Sequence, residues 1–184
     1  MNSKFKLAKE SRITISELML PSHSNFSGKI HGGYILSLMD QIAFACASKH
    51  SEAYCVTASV DKVDFKKPIE VGELVTLKAS VNHVGRTSMV VGVRVEAEHI
   101  QTGKVKHCNS SYFTMVARNL EGRSVEVPGL ILDSPTSIRR FVRTIIRKED
   151  AQERQGMFKA SEFKWQEHLE VLKDYHVKLQ GIEA

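Results

Sequence analysis

No run of apolar residues in this 184-residue chain reaches the roughly 18–20 that a membrane-crossing helix needs. No membrane insertion is therefore expected. The first residues, MNSKFKLAKESRITIS, carry positive charge but lead into no apolar segment, so the sequence predicts no secretory signal and a cytoplasmic location. Cysteine is scarce: Cys46, Cys55 and Cys108 are three in number and have no paired spacing, which argues against a disulfide framework and a zinc knuckle. The histidines at 23, 83, 99 and 107 show no ligand spacing, so no metal site is expected. The formal charge of +5 favours anionic partners. Its lysines and arginines are mixed with acids, however, and form no basic run interleaved with aromatics, so nucleic acid is not an expected partner.

Periodicity and breakers divide the chain. Residues 11–20 alternate and read as a strand that ends at Pro21, and residues 21–32 read as a loop. Residues 33–49 read as a helix with most of its surface apolar, hence as a buried one. Strands follow at 54–65, 73–84, 87–100 and 104–117, rich in Val and Thr. They are separated by Pro68–Gly72, Gly85–Arg86 and Thr102–Gly103, of which the last two are short enough for hairpins. A helix followed by an antiparallel meander is an α+β layout, most simply a curved sheet with the helix lying across it. The expected organisation is a domain over 1–125 and a charged helical extension over 126–184. Ser134 and Pro135 supply a helix start, and residues 136–180 read as helical. Phe158, Trp165, Leu169, Leu172 and Leu179 form an interrupted stripe, with Glu162 and His176 in the missing turns, and Gly156 is expected to break or kink the helix.

Within NFSGKIHGGYILSLMDQIAFA (25–45), two features cost stability: Gly32-Gly33 at a helix start and Asp40 in its middle. A helix N-terminus offers unpaired N–H groups and partial positive charge. Glycine there lets a ligand oxygen come close, as an oxyanion hole requires. Asp40 is suited to act as a general base or a nucleophile. The plain alternatives are a turn for the glycines and a solvated acid for Asp40. Seven residues place Gly33 and Asp40 on one helix face but about 10 Å apart along the axis, too far to act on one carbonyl. An antiparallel helix from a two-fold partner would bring its Asp40 level with this chain's Gly33. The expected site is therefore composite and lies at a dimer interface. Cys46 and Cys55 have no evident base, and the default role of His31 is to order the loop.

The same segment resembles the signature of hotdog-fold acyl-CoA thioesterases of the cytosolic acyl-CoA hydrolase type. VTASVDKVDFKKPIEVGE (56–73) resembles that family's second strand and turn, and HVGRTSMVVGVRVEAE (83–98) its strand pair with a Gly-Arg-Thr-Ser element. The resemblance spans about residues 8–118. It implies a sheet wrapped around a central helix, hydrolysis of acyl-CoA to a carboxylic acid and CoA without a cofactor, and homodimers assembling into hexamers as trimers of dimers. Asp40 would activate water or attack the thioester, and the N–H groups of Gly32 and Gly33 would hold the oxyanion. Asn25 would orient the thioester or the water, and Thr57 would present a hydroxyl. Arg86, Thr87, Ser88 and Lys67 would meet the nucleotide end of CoA, and Ile35 and Met39 would line an acyl tunnel. The other reading of the same fold is a non-catalytic acyl-CoA sensor.

Overall fold

The computed structural model describes residues 5–157, 163–172 and 174–178, and for residues 155–157 the backbone alone. The chain divides into two compact units, Met1–Ile145 and Ile146–Ala184.

The first unit is organised by a five-stranded antiparallel sheet. Its strands are β2 (Ile13–Leu18), β3 (Tyr54–Val60), β4 (Glu73–Val84), β5 (Ser88–His99) and β6 (Lys104–Arg118), in the order β2-β4-β5-β6-β3. Period-two alternation sends Val75, Leu77, Ala79 and Val81 of β4 to one face, with Val91, Val93 and Val95 of β5 and Phe113, Met115 and Ala117 of β6. Helix α1 (Gly32–Ser51) lies against that face and contributes Ile35, Leu38, Met39, Ile42, Ala43 and Cys46 to the core. Burying each large side chain there is worth roughly 1.5–3 kcal/mol. This is the predicted α+β layout, a curved antiparallel sheet with one long helix across it.

The remaining elements are smaller. β1 (Phe5–Leu7) and β7 (Gly129–Ile131) form a short parallel pair. Helix α2 (Pro135–Met157) starts as the sequence predicts: Ser137 N–H donates to Ser134 Oγ at 3.2 Å, and Ser134 N–H donates to Ser137 Oγ at 3.0 Å.

Several expectations need correction. β3 stops at Val60 rather than residue 65, although Asp61 and Lys66 still donate backbone bonds to Tyr112 and Cys108 at 2.9 Å each. The charged run from Asp61 to Lys67 favours solvent over a pleated strand. Helix α2 is described to Met157, one residue past Gly156. In the second unit, a 3-10 turn (Trp165–His168) leads into a single turn of helix, α3 (Leu169–Leu172), and residues 174–178 are not helical. Asp174, Tyr175, His176 and Val177 are all weak helix formers. Phe158, Glu162 and Leu179 of the predicted stripe lie outside the described residues.

Candidate active site

The loop before α1 is built around Asn25. Its Oδ1 accepts from Ser27 N–H (2.9 Å), Ser27 Oγ (2.7 Å) and Lys29 N–H (3.2 Å), an Asx-type arrangement that holds the turn. Tyr34, on the first turn of α1, donates its hydroxyl to Glu17 of β2 and stacks on His23 with ring centroids 4.1 Å apart. These contacts tie the loop to both the helix and the edge strand. Nothing in the spacing of Glu17, His23 and Tyr34 announced this cluster, since it depends on tertiary contact.

His31 is the N-cap of α1, and its Nδ1 accepts from Gly33 N–H at 3.0 Å. The imidazole lies so close over Gly33 that a Cβ there would fall 2.8 Å from His31 Cε1. Gly33 is thus a glycine because the cap requires the space. Tyr34 N–H is bonded to His31 C=O at 3.0 Å. That leaves Gly32 N–H without a partner among the described residues, beside the ring of Phe65, which a Cβ on Gly32 would meet at 3.3 Å.

Two turns along α1, Asp40 accepts a 2.6 Å hydrogen bond from Thr57 Oγ1 at its Oδ1. The pairing of β3 with β6 slips between Thr57 and Ser59, so Ala58 is a bulged residue next to the threonine; a bulge is a common means of re-aiming a side chain. Asp40 is half-buried in the chain by itself, not enclosed as the apolar pattern suggested. The helix has a second, open face with Gly33, Ser37, Gln41 and Phe44, and Leu36 and Phe44 remain 36% and 37% exposed. Ile35 and Met39, by contrast, are packed into the chain's own core at 1% and 0% exposure.

The other predicted residues fall at two separate places. Arg86 and Thr87 occupy the turn between β4 and β5 and Ser88 opens β5, level with the end of β6: Thr87 C=O accepts from Ala117 N–H at 3.0 Å. Lys67 follows Lys66, which is bonded at the level of Cys108, nine residues back along the same strand. That is about 30 Å at strand rise. One chain therefore does not bring these four residues together.

All three thiols are buried and unpaired. Burial pushes the Cys46 thiol up to about 12, and its Sγ donates to Ser11 O at 3.1 Å; none of the three has the exposure that a nucleophilic cysteine needs. Among the described residues no group of three His, Cys, Asp or Glu is placed to hold a metal ion, and no helix is long and apolar enough to cross a membrane.

The thioesterase superfamily pattern matches residues 27–104. Protein VdlD of Helicobacter pylori is 41% identical over 142 residues, 77% of this chain and 81% of that protein. The crystal structure of an apo-hexameric acyl-CoA thioesterase superposes with a TM-score of 0.81 at 35% identity, covering 84% of this chain and 99% of that one. An acyl-CoA hydrolase from Staphylococcus aureus, in complex with butyryl coenzyme A and coenzyme A, superposes with a TM-score of 0.77 at 29% identity, over 92% and 99% of the two chains. Structures of that hydrolase also exist with an asparagine, an aspartate and a threonine each replaced by alanine.

Proposed function

The chain belongs to the thioesterase superfamily, as a hotdog-fold acyl-CoA hydrolase, and from that premise we propose that Asp40 is its general base in a site shared by two subunits. The observation that carries this reading is the Thr57–Asp40 hydrogen bond of 2.6 Å on the open face of α1. The hydroxyl fixes one carboxylate oxygen and leaves the other to take a proton. The asparagine, aspartate and threonine replaced in the Staphylococcus aureus hydrolase stand at the same sequence intervals as Asn25, Asp40 and Thr57, which supports reading these three as one functional set.

In the reaction, Asp40 removes a proton from water as the water oxygen attacks the thioester carbonyl. The oxyanion that forms is held by Gly32 N–H, and by Gly33 N–H once the substrate oxygen displaces the His31 imidazole. Collapse breaks the C–S bond, and the proton passes from Asp40 to the departing thiolate. The products are a carboxylic acid and CoA, and no cofactor takes part.

Gly33 and Asp40 are separated by about 10 Å of helix, so the glycines of one chain work with Asp40 of another. The exposed apolar side chains Leu36, Phe44 and Tyr54, the last 62% exposed, suit such an interface. The free edge of β3 suits a sheet continued from chain to chain. Dimers of this kind assemble into a hexamer, as in the hexameric relative. Arg86, Thr87 and Ser88 of one chain and Lys67 of another then bind the nucleotide end of CoA. Three unpaired cysteines fit a reducing cytoplasm.

The test is subunit mixing. Asp40→Asn and Asn25→Ala are each expected to lose turnover, measured as thiol release from acyl-CoA. Unfolded and reassembled together in equal amounts, they should regain about a quarter of the wild-type sites, because each mixed dimer carries one intact site. No recovery from verified mixed dimers would put both residues in one chain's site. Full turnover by Asp40→Asn alone would remove the general base, and tight acyl-CoA binding without turnover in the wild type would make the protein a sensor.

A further inference from the structure

The sheet face turned away from α1 carries chemistry that hydrolysis does not use. Ser80 and Asn82 of β4 are 7% and 6% exposed there, where the start of α2 reaches Ser80. Arg140 Nη1 donates to Ser80 Oγ at 3.3 Å, and Ser80 Oγ donates to Asn82 Oδ1 at 3.0 Å. Beside them, Phe141 stacks on His83 with centroids 4.7 Å apart. Gly92, opposite Ser80 on β5, leaves the space the asparagine fills: a Cβ there would lie 2.2 Å from Asn82 Nδ2. The two small buried polar side chains thus form a floor that fixes the direction of one guanidinium.

Strand register delivers a second arginine to the same spot. Ile13 pairs with Ala79, so Arg12, one residue earlier, comes alongside Ser80 on its side of the sheet. Arg139 precedes Arg140 on α2. Burial and the like charges of Arg12 and Arg139 hold the Arg140 guanidinium below its usual value, with Tyr112 acting in the opposite sense and no described carboxylate among its neighbours. The same sheet face treats its other cations differently: Lys78 and Arg94 both meet Glu96, at 2.6 and 2.7 Å. Arg140, partly desolvated, stands near two exposed arginines with no acid to offset their charge, and an anion relieves that repulsion.

The geometry points to a binding site for a phosphate group, held by Arg12, Arg139 and Arg140 above Ser80. A phosphate carries up to two negative charges and three acceptor oxygens, which match three guanidinium forks better than a single carboxylate does. The site lies on the opposite side of the sheet from Asp40, so it takes no part in this chain's hydrolytic centre and does not depend on the catalytic reading. Its ligand is a phosphate-bearing small molecule, either a separate one or the phosphate end of a CoA bound to another chain.

The probe is inorganic diphosphate, titrated calorimetrically into the full chain, with melting temperature as a second readout. Saturable binding is expected in the wild type, weakened about tenfold or more in Arg140→Gln. Without ligand, Arg140→Gln should melt close to the wild type, because the like charge removed offsets the weakened contact with Ser80. If Arg140→Gln does not fold, Arg12→Gln at the exposed edge strand gives the same reading. Displacement of diphosphate by CoA would identify the phosphate as that of a neighbour's CoA, and its retention would identify a separate molecule; both keep the site. Absence of saturable binding, equal affinity in the variants, or loss of the assembled oligomer in Arg140→Gln would overturn the proposal. The last result would mean that the arginines meet carboxylates of another copy.

Discussion

Helix α1 and the first turns of α2, before Ile146, lie against opposite faces of one sheet and are seated by opposite chemistry. α1 buries Ile35, Leu38, Met39, Ile42 and Cys46, and keeps Asp40, Ser37 and Gln41 for its open side. The first turns of α2 bury Ser137 and Thr144, with Phe141 half-buried, and expose Ile138, Val142 and Ile145 at 49%, 47% and 37%. A helix held by apolar burial has stability to spare for a half-buried carboxylate on its other face. A helix held by a serine cap, a serine–arginine contact and one aromatic stack has little. Changes on α1 should therefore separate cleanly into loss of activity and loss of stability, whereas changes on the outer face of α2 should do neither.

The largest expected effect is on the open side of α1. Asp40→Asn keeps the shape and the Thr57 contact but removes the base, and kcat should fall by about 10³-fold with the melting temperature nearly unchanged. A coupled fall in melting temperature would mean that Asp40 is a structural acid. On the packed side the pattern reverses. Met39→Ala, one residue away and wholly buried, should cost about 2–5 kcal/mol in denaturant unfolding while the surviving folded protein keeps its kcat. An equal loss of kcat would show that the two faces are not independent.

How much of this was readable beforehand follows the range of the interactions. The limits of β4 matched because its alternation and its flanking breaks are local. Gly32, Gly33 and Asp40 could be picked out because each violates a local rule, a helix start without a side chain and an acid among apolar residues. The pairing of β1 with β7 was invisible: three residues at each end of a domain carry no period. The Thr57–Asp40 bond was out of reach of spacing, and the family resemblance implied only a hydroxyl from Thr57 at the site. That His31 already holds Gly33 N–H depends on a ring orientation that no pattern encodes. The separation of Arg86 from Lys67 is a matter of sheet register, which residue type alone cannot supply.

Intermediate effects belong to the two ends of α1. Gly33→Ala forces a Cβ to within 2.8 Å of the His31 ring and should expel the cap, costing about 0.5–2 kcal/mol and raising KM as the N-terminus rearranges. At the other end, His50 Nε2 lies 3.0 Å from Pro128 O, and burial holds the imidazole below its ordinary 6.5. The unfolded chain then takes up the proton first. Stability contributed by neutral His50 is fully present above about 6.5 and is lost as the pH falls from there through the lower folded-state value. Urea midpoints measured across this range should decline toward acid in the wild type and less steeply in His50→Gln. Parallel curves would assign the decline to other groups.

The smallest effect is expected where α2 differs most from α1. Ile138 sits on the outer side of α2, half-exposed, while its neighbour Ser137 is buried against the sheet. Ile138→Ser removes an apolar side chain that this chain does not bury, so unfolding free energy in the dissociated protein should change by no more than about 0.5 kcal/mol. The same replacement on α1 at Ile42 would open the core. The measurement gains meaning when it is repeated at rising protein concentration. A cost that grows with concentration would mean that the exposed row of Ile138, Val142 and Ile145 is covered in the assembled oligomer. The two helices would then be alike after all, each packing through apolar residues, α1 within its own chain and α2 between chains.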